Sequence, residues 1–172
     1  MLKSLRTKGL SLRHWRMIGA KLGFSFDPAT MTLWKLINMK MHEESRLAII
    51  RSISEIATKE HALLTGIESL DRDIRSIEFT LVPHRNTPIL IVMRLPEVQQ
   101  SYEEFQTRLS ILRSNPFMKN FYEKMHEIDR IIKLVVELSA EWQVLQRHWM
   151  YLQEIFSLPE IQKQLESHCK KF

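Results

Sequence analysis

The chain has 172 residues, of which 44% are hydrophobic and 26% charged, with four glycines and a net charge of +5; this composition describes a folded, mainly helical protein and excludes disordered, fibrous and low-complexity classes. At this length roughly 70% of the extended surface can leave water on folding. No apolar run approaches the ~20 residues that cross a bilayer, so a soluble domain with its own core and no membrane partner is expected.

The basicity is local. Lys3, Arg6, Lys8, Arg13, Arg16 and Lys21 all precede the first acidic residue, Asp27, which gives +6 over residues 1–26 and 19 basic against 20 acidic residues afterwards. Only Trp15 accompanies these charges, too little stacking or groove-reading chemistry for a nucleic-acid partner. Gly9 and the run from Trp15 to Ile18 into folded sequence argue against a transit peptide. Residues 1–10 read as a flexible basic start. Ser11 then stands as an N-cap for LRHWRMIGAKLG, where Leu12, Trp15, Ile18 and Leu22 repeat at helical spacing and Gly23 can close the C-terminus. FSFDPAT reads as a loop, with Thr30 placed to cap the turn TLWKLIN.

From about Met41 to Glu78 no proline occurs, and Ile49, Ile53, Ile56, Leu63, Ile67, Leu70, Ile74 and Ile77 recur at helical steps, which predicts one long helix with a narrow apolar seam. Glu60 interrupts that seam; it is either a solvated gap or the partner of a basic residue on a neighbour. The period then changes. FTLV and ILIVM, separated by PHRNTP, predict a β-hairpin over about 79–95. Pro96 opens a helix whose Val98, Tyr102, Phe105, Leu109 and Leu112 share a face, and Asn115-Pro116 ends it. The last long helix, from about Met118 to Phe156, carries Ile128, Ile131, Val135, Leu138, Trp142, Leu145, Trp149, Leu152 and Phe156 at alternating steps of three and four. Trp142 and Trp149 are expected to be buried knobs of that seam. Ser157 and Glu160, with Pro159 between them, have the spacing of a capping box for a final helix. The fold class is therefore mainly α: an elongated bundle of long antiparallel helices with one small β-hairpin.

Catalytic and cofactor chemistry is not written in this pattern. No glycine precedes a lysine and no G-x-G-x-x-G occurs, so no phosphate cradle is predicted. The seven histidines lie at positions 14, 42, 61, 84, 126, 148 and 168, never at the spacing that sets two metal ligands on one helical face. Asp71 and Asp73, and Glu103-Glu104, read as solvated helix faces, and nucleophile motifs are missing. The expectation is no enzyme, no cofactor and no metal. A single cysteine, Cys169, has no partner for a disulfide, which fits a reducing compartment such as the cytosol.

The stretch WQVLQRHWMYLQEIF resembles the linker region, N-terminal region 2, of dynein heavy chains. The family pattern of tryptophan, glutamine, tryptophan and then Y-L-x-x-I-F falls on Trp142, Gln146, Trp149, Tyr151, Leu152, Ile155 and Phe156, and is followed by SLPEIQKQL and a final Phe172. Upstream, Arg13, His14 and Trp15 match the family's arginine-histidine-tryptophan helix, and Ala57, Lys59 and Glu60 its A-x-K-E segment. Departures at Ile128, near Ile74 and at Glu103-Glu104, where the family carries tryptophans and paired aspartates, suggest a divergent heavy chain and leave its subclass open between axonemal and cytoplasmic, with the axonemal type preferred. The resemblance implies one segment, residues 1–172, of a force-transmitting lever. Its implied partners are the ATPase ring of the same heavy chain, the intermediate and light chains and, through the parent chain alone, microtubules. The implied place is the cytoplasm and cytoskeleton, at the cilium or axoneme. The competing reading is a freestanding helical interaction module derived from a heavy-chain gene.

Overall fold

The computed structural model describes residues 2–25, 27–85 and 87–172. Its order is α1 (Leu2–Leu5), α2 (Leu12–Leu22), a 3-10 turn (Pro28–Thr30), α3 (Leu33–Asn38), α4 (Glu44–Arg75), β1 (Thr80–Pro83), β2 (Leu90–Met93), α5 (Leu95–Arg113), a second 3-10 turn (Met118–Phe121), α6 (Tyr122–Phe156), α7 (Pro159–Gln164) and α8 (Glu166–Cys169). The fold is mainly α with one small hairpin, as the change of period predicts. The chain groups into two compact units, one running to Ser69 and including Leu112–Tyr122, the other formed by Leu70–Ile111 and Glu123–Phe172.

In the first unit, Ile18 of α2, Leu36 of α3, Met41 and Ile50 and Ile53 of α4 form the core, with Leu5, Leu10, Trp15 and Leu22 packed against it. α2 begins at Ser11, which has the extended backbone of an N-cap, and ends at Gly23, which is left-handed at φ 74°; glycine is the residue that takes this conformation without a Cβ clash. The cap of α3 is Thr32, whose side chain accepts from the Lys35 N–H at 3.3 Å, and not the expected Thr30. Thr30 is occupied as the last residue of a 3-10 turn that Asp27 caps through the Ala29 N–H. The basic start, expected to be flexible, makes specific contacts with α4. Ser54 Oγ donates to the Ser4 carbonyl at 2.8 Å. Gly9, at φ 96°, lies so close that a Cβ there would meet His61 Cβ at 2.5 Å and the Ala57 carbonyl at 2.7 Å.

In the second unit, β1 and β2 pair antiparallel in the register Thr80↔Met93, Leu81↔Val92, Val82↔Ile91 and Pro83↔Leu90. α5 buries Leu95, Val98, Tyr102, Phe105 and Leu109. The Tyr102 hydroxyl reaches the Ile74 carbonyl at 3.4 Å, and its ring meets Phe105 edge-on at 5.5 Å. α6 departs from expectation in one respect. Its buried stripe is Met125, Ile128, Ile132 and Ser139, whereas Trp142 is 48% exposed and Leu138 and Leu145 are more so. Sequence alternation marks an apolar face, and this helix has two adjacent ones of which only one is covered. The capping box expected at Ser157 also does not form. Ser157 Oγ instead bonds back to the Gln153 carbonyl at 2.6 Å, extending the last turn of α6, and Leu158 takes the N-cap place of α7.

Candidate functional site

The motif residues of α6 converge on the hairpin. Gln146 points its side-chain amide at one residue of β2: its Oε1 accepts from the Val92 N–H at 2.8 Å, and its Nε2 donates to the Val92 carbonyl at 2.9 Å. One amide thus satisfies both backbone groups that Val92 turns away from β1, and closes that edge of the sheet as a further strand would. Trp142 Nε1 donates to the same Oε1 at 3.2 Å and holds the amide in the orientation Val92 requires. One turn on, Trp149 is half-buried. Its ring meets the His84 ring of the hairpin loop edge-on at 5.5 Å and stacks on Phe172 at 6.1 Å, with planes 8° apart. Phe156 closes this group against Phe172 at 4.8 Å. Arg85 and Glu154 add an exposed ion pair between the same two elements. Of the remaining motif residues, Ile155 is half-buried, while Tyr151 and Leu152 face outward and take no part in the clip.

The upstream motif residues form a separate site in the first unit, around Glu60 of α4. This carboxylate is 6% exposed, and a buried charge at that depth is tolerated only when its lone pairs are taken. Here they are. Arg13 pairs with Oε2, His14 Nε2 lies 3.1 Å from the same oxygen, and Asn120 Nδ2 donates to Oε1 at 3.1 Å. Of the two readings the sequence leaves open for Glu60, the structure selects the paired one, and Arg13 and His14 of α2 are the partners.

The tautomer of His14 follows from its surroundings. The Ser11 backbone N–H donates to Nδ1 at 3.1 Å, so the ring proton resides on Nε2 and is given to Glu60. Ser11 Oγ also lies 2.8 Å from Nδ1, and serine, histidine and glutamate in a row have the outline of a nucleophile relay. Because Nδ1 carries no proton, the Ser11 hydroxyl donates to the same lone pair that receives the Ser11 N–H, and the two donors share it within one helix cap. The row locks the start of α2 onto the middle of α4. Trp15 turns to the other side and packs on the core of its unit, and Ala57, fully buried, supplies the flat surface against which Gly9 lies.

The sequence motifs therefore sort into two sites, with Trp142, Gln146, Trp149 and Phe156 in one and Arg13 and His14 in the other. Sequence reading missed the partners His84, Val92, Asn120 and Gly9. Two signals pointed at them: a carboxylate inside an apolar seam, and a glutamine between two tryptophans beside an otherwise open hairpin edge.

The two sites, both built of packing and hydrogen-bond contacts, belong to a mainly α segment with one small hairpin. A family model described as Dynein heavy chain, N-terminal region 2 matches residues 1–172, and the chain belongs to that family. Its relatives include axonemal heavy chains that match along its whole length. It is 25% identical over 173 residues to Dynein axonemal heavy chain 1 of Mus musculus, covering 100% of this chain and 4% of the relative. It is 27% identical over 174 residues to Dynein axonemal heavy chain 2 of Homo sapiens, again covering 100% of this chain and 4% of the relative. The chain thus spans about 4% of the length of the curated relatives it matches.

Proposed function

We propose that residues 1–172 are a non-catalytic, force-transmitting section of the linker of an axonemal-type dynein heavy chain. Chemical work comes from an ATPase ring that the parent chain supplies, and microtubules are engaged only through that parent. The observation that carries this reading is the use of two-point polar grips where apolar packing alone would allow sliding. Apolar contact is non-directional, whereas the bidentate hold of Gln146 on Val92 and the hold of Arg13 and His14 on Glu60 fix position along the helix. A segment fastened this way passes displacement on instead of absorbing it. The ring of the same heavy chain, with intermediate and light chains in the complex, are its partners, and the cytoskeleton of the cilium is its place.

A motor heavy chain carrying Gln146→Ala tests the assignment. The expected result is microtubule gliding slowed several-fold with ATP turnover retained, because the lever slips while the ring still cycles. Unchanged gliding, or ATP turnover falling in proportion, overturns it. A second reading, a freestanding helical interaction module, is favoured by the exposed leucines of α6. An antibody against residues 1–172 separates the two. A cellular band far above 20.5 kDa that sediments with microtubules in an ATP-sensitive way supports the lever, and a single band near 20.5 kDa supports the module.

A further inference from the structure

Among the described residues, two buried side-chain polar atoms have no hydrogen-bond partner, Nε2 of His84 and Oε1 of Gln153. Both belong to the joint between the hairpin loop and α6. The His84 ring, 5% exposed, meets Trp149 edge-on at 5.5 Å, and the next residue, Arg85, pairs with Glu154. Gln153 lies between Trp149 and Glu154 both along α6 and around it, so these two contacts bracket its side chain and set it on the His84 side of the helix. Other bonds hold both residues in place. The His84 N–H donates to the Ile89 carbonyl at 2.9 Å, its carbonyl accepts from Thr87 Oγ1 at 2.7 Å, and Gln153 Nε2 donates to Ser157 Oγ at 3.1 Å. A polar atom buried without a partner gives up its hydration and receives nothing in return, which is why native proteins keep few of them.

We propose that one buried water molecule joins Nε2 of His84 to Oε1 of Gln153 and so ties the hairpin loop to α6. The two atoms do not bond each other directly, and a polar pair that faces across a gap is the setting for a bridging water. The chemistry selects water. Oε1 only accepts, so its partner must donate, whereas Nε2 of a neutral imidazole donates or accepts according to where the ring proton sits. A water molecule serves both cases: it donates to Oε1, and it either accepts from an Nε2–H or donates its second proton to a bare Nε2. An anion would meet the carbonyl oxygen with like charge. Buried waters of this kind take the place of missing protein partners and are costly to remove. The bridge acts at the loop end of the hairpin, where Gln146 does not reach, and it is independent of the lever reading.

Magnetic resonance of the 172-residue chain is the first test, with the His84 ring signals identified by their loss in His84→Phe. The carbon-bound ring protons on either side of Nε2 are expected to show a cross-relaxation peak with a long-lived water. Gln153→Leu is expected to abolish that peak while the ring keeps its contact with Trp149. Urea denaturation of the same chains is the second test. Gln153→Leu and His84→Phe are each expected to lower the folding equilibrium constant by about fivefold. The double variant is expected to lose no more than either single one, because removing both ends of a bridge leaves no atom stranded. The sign is decisive, since two atoms buried with no partner at all would make each apolar replacement stabilising. A wild-type ring with no water peak overturns the proposal. So does a peak that survives Gln153→Leu, a gain in stability from either substitution, or losses that multiply to about twenty-five-fold in the double variant.

Discussion

Replacing Gln146 by alanine removes the side chain whose amide bonds α6 to Val92. Three hydrogen bonds disappear: the two with Val92, at 2.8 and 2.9 Å, and the one from Trp142 Nε1 at 3.2 Å. Each of the first two is worth about 1 kcal/mol net at a part-buried site. The third adds little, because the half-exposed Trp142 can turn its N–H to water. The expected loss is therefore about 2 kcal/mol, a fall in Tm of roughly 4–8 °C for a chain of this size. Urea denaturation reads the first quantity. Hydrogen exchange at the Val92 amide reads the cause, with protection expected to fall by about thirtyfold where 1.4 kcal/mol corresponds to ten. Gln146→Glu sharpens the test: a carboxylate still accepts from the Val92 N–H but faces the Val92 carbonyl with like charge, so it is expected to be at least as damaging as alanine. A loss below about 0.5 kcal/mol with Val92 protection unchanged would refute the clip.

Glu60→Ala is expected to cost about 3 kcal/mol, from the His14 Nε2–H left buried without an acceptor and the space left beneath α2; Arg13, half-exposed, returns to water and contributes little. Thermal unfolding checks this, and Glu60→Gln, which keeps the volume and one acceptor oxygen, is expected to recover about half the loss. Trp149→Ala is expected to cost about 2–3 kcal/mol, below the range for a fully buried tryptophan, and Trp142→Ala less than about 1 kcal/mol; chemical denaturation ranks the two. Burial raises the Tyr102 hydroxyl above its ordinary value of 10.0, so above that pH the unfolded chain loses this proton before the folded one does. Stability is then full below pH 10.0 and declines as pH climbs towards the raised value. Alkaline denaturation of Tyr102→Phe is expected to show a shallower decline than wild type.

The helices and the hairpin were legible because each follows from local pattern: the proline-free run through Ile53 and Leu63, the β-branched runs about PHRNTP, and Gly23 where a left-handed residue is required. Glu60 was legible as an anomaly but not as a pair, since its partners lie 46 and 47 positions away and nothing in the chain's spacing says which cation arrives. Periodicity misled at Trp142. It shows which side of α6 is apolar, and not what else is present to cover that side, so a seam read as core proves half-open at Leu138 and Leu145. The final cap failed for a similar reason. Ser157 could serve either the helix before it or the helix after it, and geometry gave it to α6. The family motif between Trp142 and Phe156 was legible as a resemblance, while the task of its glutamine needed the hairpin to be seen beside it.

The clip on Val92 also has a mechanical character. Both of its bonds run from one planar amide to one peptide residue, so they bear tension side by side and cannot be undone in sequence, as the rungs of a peeled sheet can. Under a growing pull such a fastening holds with almost no extension and then opens in a single event, and it re-engages in a single event when the pull is removed. The amide clip is therefore all-or-none in itself, the behaviour of a catch and not of a spring, and it works beside the looser contacts of Trp149 with His84 and of Glu154 with Arg85.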